Sequence, residues 1–155
     1  MKKCQPLAAV MTCAAVLALT GCTYLGSFSQ DPSRARFLDA FCSVERDRAH
    51  LQEELLFSDT SIVEGTAVHI LLESVESAAA TFEDVSINWP TSVDRKDLLA
   101  MAEQYRFEAD GLRALSEGRD TQEGFGEPFP ETYVAFDRLS SALGIDDAYA
   151  KCGIG

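Results

Sequence analysis

His50 and His69 are the only imidazoles in the 155-residue chain, and each has a carboxylate one helical turn away. Asp47-x-x-His50 and His69-x-x-x-Glu73 have the spacing with which helical bundles hold a metal ion. The two histidines also lie nearly equidistant from a turn near residues 59 and 60, which would set them at one height in a hairpin. Helical phase argues against a shared site. His50 falls on a face with Arg46, Asp47, Glu53 and Glu54, and His69 on one with Gly65, Glu73 and Glu76. Both faces are polar and point away from the apolar seams. A nucleophile is no better supported: there is no G-x-S-x-G, and no serine forms a recognisable motif with either histidine. Gly124-Phe125-Gly126 is flanked by Glu123 and Glu127 and followed by no lysine, so it is not a phosphate cradle. The many carboxylates read as solvated helix surface, and no unpaired Asp or Glu is expected on the inner stripes. The expectation is no catalytic residue, no metal and no cofactor.

The cysteines carry more information. Met1-Lys2-Lys3 is followed by an apolar run from Leu7 to Leu19, too short for the roughly 20 residues of a membrane-spanning helix but suited to a signal peptide. Leu19-Thr20-Gly21-Cys22 then resembles the bacterial lipobox. That resemblance implies cleavage between Gly21 and Cys22 and a diacylglyceryl group on the Cys22 sulfur, since only a thiol can form the thioether. Two acyl chains anchor stably where one binds only marginally. The expected organisation is a signal peptide over 1–21, a lipidated tether over 22–30 and a helical domain over 31–155. The expected place is the extracytoplasmic side of a cell membrane. Of five cysteines, Cys4 and Cys13 leave with the signal peptide and Cys22 takes the lipid, which leaves Cys42 and Cys152. In an oxidising compartment such a pair is most simply a disulfide. A reactive thiol or a metal ligand are the competing readings. Neither has support, because there is no C-x-x-C and no histidine neighbours either cysteine in sequence.

The elements that must position these residues read as helices throughout. Asp31-Pro32 opens the first, whose seam is Phe37, Phe41, Val44, Leu51 and Leu55, running to about Phe57. Ser61 to Glu64 forms a capping box for the second, with Val68, Leu71, Leu72, Val75, Ala78, Ala79 and Phe82 inward. Asn88-Trp89-Pro90 interrupts, and Thr91 or Ser92 caps a third helix on Leu98, Ala102, Tyr105, Ala109 and Leu112, ended by Gly118. After a long loop, Pro130 opens a fourth with Tyr133, Phe136, Leu139 and Leu143 inward, and Asp146 caps a last turn. No stretch alternates with period two. The fold predicted is all-α: an antiparallel up-down four-helix bundle with a short C-terminal helical turn, in which Cys152 returns beside the first helix.

Phe41-Cys42 in the first helix, the Trp89-Pro90 break and the closing Ala148-Tyr149-Ala150-Lys151-Cys152-Gly153 resemble a pattern in small exported lipoproteins of high-GC Gram-positive bacteria. The resemblance covers the whole domain on short motifs. It implies the helical bundle and a Cys42–Cys152 bridge, and no activity.

Acidic residues outnumber basic ones 25 to 13, for a formal charge of −12. That excludes a nucleic-acid binder, which needs Lys and Arg against phosphates, and a protein held to anionic lipid by a basic patch. What remains is recognition. Phe125, Phe129 and Tyr133 gather about the long loop, either closing one end of the bundle or offering an apolar patch to an envelope partner. The function expected is a lipid-anchored binding or interaction module. The alternative is a bundle handling a small ligand or metal, which would need inward polar groups that the seams do not supply.

Overall fold

The computed structural model describes residues 31–57, 65–119 and 128–154. They form five helices, α1 (Pro32–Phe57), α2 (Gly65–Glu83), α3 (Arg95–Ser116), α4 (Pro130–Ala142) and α5 (Ala148–Lys151), and no strand occurs among the described residues. The fold is all-α.

Pairs between neighbouring helices fix their directions. Phe37 meets Phe82, and the side chains of Ser43 and Asp47 bond Ser74, so α1 and α2 run antiparallel. Glu83 pairs with Arg106 and Glu76 with Arg113, which reverses α3 against α2. Gln104 bonds the start of α4 while Asp97 faces Arg138, which reverses α4 against α3. The predicted seams of α2 and α3 are the ones buried, apart from a partly exposed Leu72.

Several boundaries and faces differ from expectation. The α3 N-cap is Asp94, whose carboxylate accepts from the Lys96 amide at 2.9 Å, and not Thr91 or Ser92. Those two stand in a turn closed by the Val93 amide on the Pro90 carbonyl, and Ser92 donates to the Ala142 carbonyl at the end of α4. Likewise Asp147, not Asp146, caps α5, accepting from the Ala150 amide at 2.9 Å. The inward face of α4 is Thr132, Ala135, Leu139 and Ser140. Tyr133 is 54% exposed and Phe136 only partly buried, because small side chains let α4 approach α3 and turn the large rings toward its edge. In α1 the seam ends at Leu51: Leu55 is 51% exposed and Leu56 81%. The proposed box at Ser61 to Glu64 lies outside the described residues, as do the signal peptide, Gly21 and Cys22.

Helix length decides the architecture. At 1.5 Å per residue the 26 residues of α1 span about 39 Å and the 13 of α4 about 20 Å. The Phe129 amide donates to Gln104 Oε1 at 2.9 Å, so α4 begins beside the middle of α3. One half of the domain is therefore a four-helix bundle, and in the other α1, α2 and α3 continue past the start of α4. In the four-helix half, the rings of Phe37, Phe41, Phe82, Phe136 and Tyr149 form a continuous cluster, with Phe41 and Phe136 centroids 4.9 Å apart. Cys42 and Cys152 are joined by a disulfide with Cα atoms 4.9 Å apart, tying the turn after α5 to α1. Closing a loop with a sequence separation of 110 stabilises by about 4–5 kcal/mol in the chain-entropy treatment.

Candidate functional site

Because α4 begins only beside the middle of α3, a groove of about 400 Å³ lies between α1, α3 and the first turn of α4. Its wall is mainly apolar, built from Phe41, Leu51 and Leu55 of α1, Leu71 of α2, Met101 and Phe107 of α3, and Phe136 of α4. Leu51 and Met101 are core residues whose far sides pack on the bundle, so the floor is rigid. Phe129 stacks at 5.0 Å on Phe107 and is 37% exposed, and Tyr133 stands at the rim. Of the three aromatic residues singled out in sequence, the structure thus brings Phe129 and Tyr133 to one edge of this groove. Phe125 lies outside the described residues.

Charged side chains enter the groove as well. Arg48 of α1 reaches across to α3 and bonds both oxygens of Glu108, Nη2 to Oε2 at 2.7 Å and Nε to Oε1 at 3.2 Å. Glu45, one turn earlier on α1, bonds the same guanidinium. Burial works against the Arg48 charge, but Glu108 and then Glu45 outweigh it and hold the guanidinium well above its ordinary pKa. Beside this triad Tyr105 is 3% exposed, lines the groove, and its hydroxyl makes no hydrogen bond among the described residues. Burial pushes its phenol far up, with Glu45 adding to the shift.

The sequence reading expected no unpaired carboxylate on the inner stripes, and it did not foresee the paired ones that the groove holds. Glu45 and Glu108 keep only 13% and 12% side-chain exposure, and Asp97 is buried near Arg138 at 3.5 Å. The signal available was Glu45 at three residues from Arg48, together with Glu108 at three residues from the seam position Tyr105. What the sequence does not show is that Arg48 and Glu108, 60 residues apart, meet.

His50 and His69 do not meet in a site. His50 is 61% exposed beside Glu54, and His69 is exposed. No group of three metal-ligating side chains occurs among the described residues, and no helix there is long and apolar enough to cross a membrane. Trp89 packs partly against the core with its indole N–H buried and unpaired.

No protein-family model, curated protein or solved structure matches the chain, so the geometry of the groove carries the functional argument.

Proposed function

We propose that the protein is a lipid-anchored binding module on the extracytoplasmic side of a cell membrane, and that its ligand seats in the groove at the start of α4. The observation that carries the reading is a mainly apolar groove of about 400 Å³, within the range of about 300–1,000 Å³ of small-molecule sites, in a domain whose other half is closed by rings and a disulfide. The lipobox at Leu19 to Cys22 supports the anchoring, and a disulfide between Cys42 and Cys152 suits an oxidising compartment. The arrangement is one for binding rather than catalysis: no nucleophile stands beside a base in the groove as described, and its charged groups are already paired.

The test is to extract the full chain from membranes of its own cells and identify co-purifying small molecules by mass spectrometry. The protein should carry a lipidated Cys22 peptide and retain an apolar compound. Leu55→Trp, which fills the groove from its exposed rim, should lose that compound while folding normally. An unmodified Cys22 overturns the anchoring, and equal retention by the variant overturns the groove.

A second reading is favoured by the exposure of Phe129 and Tyr133: these rings contact an envelope protein. Tyr133→Ala would then abolish a specific cross-link in cells that Leu55→Trp leaves intact.

A further inference from the structure

The polar corner of the groove has a charge imbalance that specifies its ligand. Two carboxylates, Glu45 and Glu108, converge on one guanidinium, Arg48, and no other charged side chain lines the groove among the described residues. The local sum is one negative charge. An anionic head would have to displace a carboxylate from Arg48 and would face the other; a cation finds a carboxylate that is only half neutralised. Next to the triad Tyr105, a residue only 3% exposed, lines the groove, and its hydroxyl, which makes no hydrogen bond among the described residues, can accept one from a ligand. The walls supply π faces, with Phe41, Phe136 and Tyr149 in mutual contact at 4.9 to 6.0 Å, and such faces attract ammonium groups where water is excluded. Burial is the main cause of the raised Tyr105 phenol, and beside it Glu45 raises the phenol by more than Arg48 lowers it, which agrees with this sign. Volume adds a limit: about 400 Å³ lies near the small end of ligand sites and suits one chain or ring system.

We propose that the groove selects a small amphiphile with one apolar body and a cationic, ammonium-type head, the head lying against Glu45 and Tyr105 and the body against Leu51, Met101 and Phe107. This rests on the groove being a ligand site, as proposed above.

Three probes of one chain length separate the two statements: hexylammonium, hexanol and hexanoate. Each is titrated by calorimetry into the full lipid-anchored chain in nanodiscs of digalactosyldiacylglycerol, a neutral lipid without an ammonium head, with empty nanodiscs as the blank. The ammonium probe should bind roughly tenfold tighter than hexanol, and hexanoate weakest, as expected for a desolvated cation on aromatic faces beside a carboxylate. Glu45→Gln should remove that preference while hexanol binding stays. Glu53→Gln, which removes an exposed carboxylate outside the groove, should keep it and so controls for the chain's overall acidity. Tyr105→Phe retains the ring and should weaken the ammonium probe alone. Melting curves for each variant establish that the fold is intact, and Glu45→Asp, which keeps the charge, should rescue selectivity. Equal affinities for the three probes, or tightest binding of hexanoate, overturn the cationic head and leave the groove standing. No binding above the blank by any probe removes the groove reading and this one with it.

Discussion

The two halves of this domain use the same three long helices to opposite ends. Around Phe37, Phe41 and Phe82 the fourth helix is present, aromatic rings fill the interior, and a disulfide fastens α5 to α1. From Tyr105 onward along α3 the fourth helix has not begun, and the space it would occupy on α1 and α3 is a groove whose corner holds Glu45, Arg48 and Glu108. Charged groups are tolerated there because they retain some contact with water and complete one another's hydrogen bonds. The difference shows how a bundle makes room for a ligand without loosening its core. One helix is shortened, and a cross-link fastens the chain beside the groove wall, next to Phe41 and Tyr149.

That contrast can be broken at the closed end with the largest effect. Replacing Cys42 and Cys152 together by Ser should destabilise the domain by about 4 kcal/mol, read by chemical denaturation, with no change in unfolding when the wild-type protein is compared at equal reduction. Phe37→Ala, at a fully buried ring touching three others, should cost about 3–4 kcal/mol by the same measurement. At the open end, Arg48→Met strands two mostly buried carboxylates and should cost about 1–3 kcal/mol near neutral pH, read by the same denaturation. If Phe37→Ala proves no more damaging than Arg48→Met, the division into a closed and an open half is wrong. The smallest effect is expected from Leu56→Lys at the exposed end of α1, within about 0.5 kcal/mol.

Alkaline pH sharpens the contrast differently. Tyr105 holds its proton more tightly folded than unfolded, where tyrosine ionises near pH 10. Its contribution to stability is therefore complete below about pH 10 and declines as pH rises beyond that value. The comparison of wild type with Tyr105→Phe between pH 9 and 11 should show the variant losing less stability over the interval.

What was legible in the sequence follows from the range of the interactions involved. The seams of α2 and α3 repeat Ala, Leu and Val at three- and four-residue steps, and burial follows that pattern because each helix packs along its whole length. The disulfide followed from cysteine number. On α4 Leu139 and Leu143 are buried as the pattern predicts, but Tyr133 and Phe136, its largest apolar residues, give way to Thr132, Ala135 and Ser140 as the other buried positions. Size signals burial only when the partner helix leaves room for it. At the caps, Asp94 and Asp147 won over equally plausible neighbours, a choice made by the turns that deliver the chain. The groove was least legible. It depends on where α4 starts, which Gln104 sets through contacts 25 and 28 residues away, and on a charge triad assembled from two helices that are not consecutive.

The disulfide has a mechanical consequence. It turns the chain from Cys42 to Cys152 into a covalent ring, and among the described residues the first turns of α1 and those just after Cys152 lie outside it as free arms. When the two ends of this domain are pulled apart, the load passes along the opening of α1, through the sulfur atoms and out, and those arms alone can lengthen. α3, α4 and the part of α1 beyond Cys42, which build most of the groove, stand off the force path. A nick in the backbone within the ring would likewise leave one molecule, held by its sulfur bond until a reductant arrives.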